Sequence, residues 1–393
     1  MQPEKAEGGN RQTAVGESKM QEKIQISVPE IDVVIPVYRP DERLRRLLLL
    51  LRQQTVKPSR ILLVNTEEAL FDPKVTDGVD GVEVIHIRKS EFDHGGTRHM
   101  AAGRLQGAFL LFLTQDAVPA DTHLIEELYR MIETPLPEKL AERLRRRAAE
   151  ARTGTGESAK GIQKCLYTGK RGSEERMEKS SEPSEGRESV FRDAGKICVA
   201  YACQLPAADC GELERFTRSF NYGSKERIKT VEDLPKLGIK TFFCSDVCAL
   251  YRRSSYEQLG GFVRHAIFNE DMIFASKVIR NFGAVGYCAR AKVIHSHNYS
   301  GRQQFHRNFD LGVSQAEHPE VFASVRSESE GIKMVKQSAA YFWKQGKGYL
   351  IPKLIWQSGC KYLGYRLGKK YQKLPMWLVK RCTMSPGYWE HEE

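Results

Sequence analysis

The sequence predicts an α/β fold, a largely parallel sheet wound with helices, and three observations carry that reading. Short β-branched apolar runs alternate with stretches of helical periodicity through the first third of the chain. Polar loops follow the carboxyl ends of those runs, the edge at which open α/β sheets take their ligands. No G-x-G-x-x-G follows the first run, which counts against a dinucleotide oxidoreductase.

Residues 32–38 (DVVIPVY) read as the first strand, and Pro36 is expected to end its ladder pairing so that Val37 and Tyr38 lie where the strand opens. Residues 40–54 form a helix with a leucine face of Leu44, Leu47, Leu48 and Leu51. Residues 60–65 (RILLVN) and 82–87 (VEVIHI) are two further strands. The chain is organised around the next stretch, residues 91–119. Gly95-Gly96 reads there as a sharp turn able to approach a ligand, and Thr97 as the N-cap of a short helix. Residues 109–113 (FLLFL) are a buried strand, and Thr114-Gln115-Asp116 leaves its carboxyl end. Asp116 is therefore placed to hold a metal ion against a phosphate.

A helix is expected over residues 122–133, after which the pattern dissolves. Residues 135–195 mix both charge signs with Gly and Ser and read as a solvated, disordered insertion, with a helix persisting over 138–151. Order resumes with a strand at 196–202, a helix at 213–222 and at least one strand within 241–251. A helix over 253–259 is stopped by Gly260-Gly261. Glu270-Asp271 opens a helix continuing over 272–282. Two short strands follow at 284–289 and 292–297; alternation along the second puts His295 and His297 on one face. Residues 305–311 are again helical.

With 393 residues, 40% of them hydrophobic, the chain supports one large domain with appendages. The nine cysteines fall at irregular spacing and no signal peptide is apparent, which points to reduced thiols in the cytoplasm. No apolar run reaches the roughly 20 residues of a membrane-spanning helix. The net charge of +11 is concentrated: residues 332–389 contain twelve Lys and Arg and no acidic residue. Aromatic residues interleave with that charge, among them Trp343, Tyr349, Trp356, Tyr362 and Trp377. Such a segment suits an interfacial helix on an anionic leaflet, and docking on the cytoplasmic face of the membrane is expected rather than nucleic-acid binding.

Three polar points follow strand ends or helix starts: Asp116, Glu270-Asp271 and His295-x-His297. Singly, each fits a structural role: a turn aspartate, a favourable helix dipole, a half-exposed histidine pair. Their joint order after a nucleotide-binding half points instead to a Mg²⁺ or Mn²⁺ site beside a general base, with Asp271 the candidate base.

These residues resemble family 2 glycosyltransferases, in particular the rhamnosyltransferase-like branch. The resemblance rests on DVVIPVY, FDHGGTRHMAA, FLTQDAVP, YACQLPAAD, LERFTRSFNYG, KTFFCSDVCALYRRSSYEQLGGF, FNEDM and HSHNYS, over about residues 30–134 and 196–316. It implies a GT-A fold whose residues 30–134 bind a nucleoside-diphosphate sugar and whose residues 196–316 bind the acceptor. Residues 1–29 are then a disordered tail, 135–195 an insertion, and 317–393 a basic, mostly helical extension. It also implies that Pro36, Val37 and Tyr38 line a base pocket near Asn65. His94, Gly95, Gly96, Thr97 and Arg98, with Gln115 and Gln204, would lie beside sugar or diphosphate. Asp116 stands where relatives carry D-x-D, with Thr114 in place of an acid, and His295 or His297 completes the metal set. Asp271, paired with Glu270, matches the catalytic base. The implied reaction is inverting transfer of L-rhamnose from dTDP-rhamnose to a glycan or lipid-linked acceptor in bacterial cell-surface polysaccharide synthesis. A UDP-glucose or UDP-galactose donor, or an inactive sugar-nucleotide-binding module at the membrane, are the alternatives.

Overall fold

The structure is a computed structural model describing residues 29–153, 191–323 and 328–391. Among these, nine strands form one sheet: β1 (Ile31–Tyr38), β2 (Arg60–Thr66), β3 (Val82–Ile87), β4 (Phe109–Leu113), β5 (Val118–Pro119), β6 (Ile197–Leu205), β7 (Arg227–Lys229), β8 (Cys248–Arg252) and β9 (Ala284–Ile294). Their order is β3-β2-β1-β4-β8-β6-β9-β5, with β7 paired to β9 off that path. The first four strands run parallel, as the alternation with helices predicts; β8 enters antiparallel to both β4 and β6, so the whole sheet is mixed. Val33, Val34, Ile35 and Leu110–Leu113 are fully buried because helices cover both faces at the sheet centre.

Several expectations are corrected. Pairing does not stop at Pro36: β1 continues beside β2 through Tyr38, opposite Thr66. The Gly95-Gly96 turn is absent, since both residues lie in the first turn of the His94–Ala102 helix. Its N-cap is Asp93, not Thr97; the Asp93 carboxylate accepts from Gly96 N at 2.6 Å. The two short strands after residue 283 are one long strand, β9, bulged where Ala202 and Cys203 pair with Cys288 and Lys292.

The insertion begins as ordered structure, not as disordered chain. Glu138–Thr153 is a helix, with Leu136, Ala141 and Leu144 buried in the core. Residues 191–195 are also packed, with the Asp193 carboxylate accepting from the hydroxyls of Ser254 and Ser255, both at 2.7 Å. The expectations for residues 1–28 and 154–190 lie outside the described residues.

The extension is helical, over Glu328–Lys344, Ile351–Gly368 and Met376–Cys382, and it is not a loose appendage. The Ile351–Gly368 helix lies against Gly301–Glu317 so closely that a Cβ at Gly364 or Gly368 would collide with the carbonyl of Phe305 or Phe309. A second core joins Ile267, Phe309 and Val313 to Val379, Tyr388 and Trp389, which ties residues 379–389 to the second half of the sheet domain.

Candidate active site

At the carboxyl edge of β4, Thr114 N donates to Val247 O and Ala117 N to Thr114 O, which forms a turn that projects Asp116. The neighbouring Gln115 folds back: its Oε1 accepts from Tyr38 N at 2.9 Å and its Nε2 donates to Tyr38 O at 3.1 Å. A side-chain amide thus continues the sheet where β1 runs out, holding Tyr38 beside Asp116.

His295 and His297 follow β9 on irregular backbone, yet the alternation persists. His295 N still donates to Leu205 O, and Ser296 turns its hydroxyl to Ala207 N. His295 Nε2 and His297 Nε2 approach the Asp116 carboxylate at 3.5 and 3.6 Å. The three ligand atoms lie within 4.8 Å of one another.

The protonation of this cluster follows from its partners. Gln204 Nε2 donates to Ser245 Oγ, so Gln204 Oε1 is an acceptor; it takes a bond from Arg218 and faces His295 Nδ1 at 3.1 Å. Nδ1 therefore carries the proton and the Nε2 lone pair faces Asp116. Burial drives the His295 pKa down to about 3, so the ring stays neutral beside the carboxylate. Two acceptors facing each other without a proton between them could hold a cation, and two imidazole nitrogens beside one carboxylate oxygen favour Mn²⁺ over Mg²⁺.

Opposite this cluster, the Glu270–Arg280 helix presents Glu270 and Asp271 from its first turn. Asp271 Oδ1 accepts from Met272 N at 2.6 Å, and Oδ2 from Asp246 N at 3.2 Å. Arg98 is the cation at the centre: it pairs with Glu270 at 3.2 Å and Asp246 at 3.8 Å, and all three side chains are at least nine-tenths buried. One guanidinium cannot neutralise three neighbouring carboxyls. Burial, then the charge of Glu270, raises Asp271 to about 7, the working range of a general base. Asp246 is also raised well above the usual carboxylate range, by burial and then by the charge of Asp271. Asp246 was missed in sequence reading, because within an apolar run it carries no periodic signal.

These groups share one cleft of about 510 Å³, whose lining includes Asp116, Glu270, Asp271, His295, His297 and Gln204. His94, Arg98, Thr114 and Gln115 also line a second cavity of about 390 Å³ containing Pro36, Val37, Tyr38 and Thr66, so the two adjoin. On the other side, His297, Tyr299, Gln304 and Lys361 are shared with a third cavity of about 480 Å³ that runs to Trp356. The buried Thr114 hydroxyl has no hydrogen-bond partner among the described residues and lines the first two cavities.

Four expected substrate residues lie off this trench. Asn65 is fully buried, its amide donating to Glu67 O and meeting His86 Nδ1, while Thr66 takes the place on the cavity wall. Gly95 and Gly96 abut the carbonyls of Val263 and Arg264, where a Cβ would collide, and the Thr97 hydroxyl accepts from Asp93 N. They shape the helix that carries His94 and Arg98.

A sheet of this order, with an aspartate turn at a switch in strand direction, has the architecture of the GT-A fold. The model of glycosyl transferase family 2 matches residues 32–139. The O-antigen chain rhamnosyltransferase RfbN of Salmonella typhimurium is 30% identical over 364 residues, 92% of this chain and 96% of that protein. The O-antigen chain rhamnosyltransferase WbaN of Salmonella anatum is 31% identical over 369 residues, 93% and 97% of the two chains. The chain belongs to glycosyltransferase family 2, in its rhamnosyltransferase-like branch. A solved structure of the mannosyltransferase PcManGT from Pyrobaculum calidifontis, in complex with GDP-Man and Mn²⁺, shares the fold at a TM-score of 0.50 and 10% identity, over 88% of each chain.

Proposed function

We propose that this enzyme transfers L-rhamnose, with inversion, from dTDP-β-L-rhamnose to a hydroxyl of a lipid-linked glycan, giving an α-rhamnosidic bond. The observation that carries the reading is the single trench, in which the Asp116, His295 and His297 cluster and Asp271 lie between one cavity at Pro36–Tyr38 and another at Trp356. The likeness to two O-antigen chain rhamnosyltransferases favours rhamnose as the sugar.

In this reading the base sits against Pro36, Val37 and Tyr38, and His94, Arg98 and Gln115 flank the sugar diphosphate. Asp116, His295 and His297 hold Mg²⁺ or Mn²⁺, which supplies Lewis-acid stabilisation of the departing diphosphate. Asp271 takes the acceptor hydroxyl proton as that oxygen bonds to the anomeric carbon and the bond to the diphosphate oxygen breaks. Burial raises the pKa of Asp271 most; the charge of Glu270 adds to that rise and the charge of Arg98 opposes it. Burial holds His94 at about 4, so it lines the trench as a neutral ring.

The acceptor side favours a membrane-borne substrate. Trp343, Tyr349, Trp356 and Trp377 are between 68% and 75% exposed, amid the twelve basic residues of 332–389. We place that face on the anionic cytoplasmic leaflet. No helix among the described residues is long and apolar enough to cross a membrane.

The deciding experiment presents dTDP-rhamnose, UDP-glucose and UDP-galactose with Mg²⁺, Mn²⁺ or chelator and follows sugar release and transfer. Turnover confined to dTDP-rhamnose and abolished by chelator is expected. Preference for a UDP-sugar would overturn the donor, and full turnover in chelator would overturn the metal.

A further inference from the structure

The Pro36–Tyr38 cavity has two walls, and the second comes from the other end of the chain. The inner wall is the open end of β1 with Thr66, Lys89 and Phe92. The outer wall is Met384, Ser385, Pro386, Gly387 and Tyr388. We propose that this carboxy-terminal strap is part of the donor site and grips the nucleobase of the nucleoside diphosphate against the end of β1. The proposal rests on the donor reading above and adds the residues that would set base affinity.

The strap is built to stay in place. At its start the buried Asp310 carboxylate accepts from Thr383 Oγ1 at 2.6 Å and from Met384 N at 2.9 Å. At its end the Trp389 side chain is fully buried in the second core. Between these anchors Tyr388 stacks on His265, ring centroids 4.0 Å apart and planes 12° apart, and its hydroxyl donates to Glu317 at 3.2 Å. Gly387 runs against the backbone of Lys89, where a Cβ would lie 3.2 Å from the carbonyl oxygen. The strap therefore meets the donor half across the cavity mouth and leaves a slot between.

The side chains facing that slot suit a flat heteroaromatic ring. Val37, Phe92, Met384 and Pro386 offer apolar surface, and Tyr38, Thr66 and Ser385 add hydroxyls at its margin. A thioether and a proline ring supply apolar contact to the face of such a ring. The same cavity opens at His94, Arg98, Thr114 and Gln115 onto the metal cluster, which is the layout a base joined to a diphosphate requires. Met384 itself is 42% exposed, so its side chain does not hold the fold together.

The test measures binding of dTDP, UDP and inorganic pyrophosphate to the full chain by calorimetry with Mn²⁺ present. Ser385→Trp fills the slot, and Met384→Ala removes one face of it. Expected is a loss of more than about tenfold in affinity for whichever nucleotide wild type binds in Ser385→Trp, and about threefold to tenfold in Met384→Ala, with pyrophosphate unchanged in both. Should Ser385→Trp melt early, the exposed position of Met384 lets the second variant carry the result. Wild-type nucleotide affinity in Met384→Ala and in folded Ser385→Trp, while Asp116→Ala loses it, would overturn the strap and leave the donor reading standing. Absence of nucleotide binding by wild type would remove the donor reading, and the strap with it.

Discussion

Gln204 settles which nitrogen of His295 is free, and the residue-scale predictions start from such second partners. Gln204→Leu removes the acceptor that fixes the Nδ1 proton, so Mn²⁺ affinity should fall by about 10- to 100-fold, read by titration with paramagnetic detection. Asp116→Ala should remove measurable Mn²⁺ binding; retention would mean the three side chains are a structural cluster only. Asp271→Asn keeps the size and one of the two backbone bonds that the carboxylate accepts, from Met272 N or Asp246 N, but cannot take a proton. Transfer should drop about 10²- to 10⁴-fold with donor affinity held. Unchanged transfer would remove Asp271 from the role of base, and absence of transfer by wild type would make the chain a binding module. The pH limb has a definite sign: Asp271 is raised to about 7 and works deprotonated, so kcat/KM should climb through that pH, and Glu270→Gln should move the limb lower by removing a neighbouring negative charge.

At the scale of elements, the helix that carries Arg98 depends on its glycines for packing. Gly95→Ala drives a methyl into the Val263 carbonyl, and such overpacking costs about 1–3 kcal/mol. The melting temperature should fall, with donor affinity unchanged in the protein that remains folded; the reverse pattern would restore the ligand-contact reading of that glycine. This element also shows where sequence was and was not informative. Strand positions such as Val33, Leu63 and Leu111 were legible because β-branched and leucine runs fall every few residues between helical stretches. Asp116, Asp271, His295 and His297 were legible because each follows a strand or opens a helix, where side chains reach the sheet edge. Gly95 was misread because a glycine pair signals a turn locally, whereas its reason is a carbonyl more than 160 residues away in sequence. Asp246 and the strap at 384–388 were invisible for the same cause. Their roles arise from long-range packing, which leaves no periodic trace.

At the scale of the whole molecule, basic charge and exposed aromatic side chains are concentrated in residues 332–389. The trench runs from Pro36 through Asp116 and Asp271 to Trp356, and its last cavity is walled by the same helix that exposes Ile355, Tyr362 and Leu363. With those apolar side chains in the leaflet, the cavity that Lys353 and Lys361 line would receive the acceptor while its lipid stays in the membrane. Each Lys or Arg near an anionic surface contributes about 1 kcal/mol, and the attraction fades over a Debye length of about 8 Å at physiological salt. Sedimentation with vesicles rich in phosphatidylglycerol should therefore carry the protein down at low salt and release much of it at high salt. Vesicles of neutral phosphatidylcholine should carry little. Trp343→Ala with Tyr349→Ala and Trp356→Ala should weaken anionic binding further, since both rings and charges reach the interface. The melting temperature should hardly change, because these side chains are already largely exposed. Equal binding to both lipids, or none to either, would detach the extension from the membrane and leave the acceptor cavity to serve a soluble glycan.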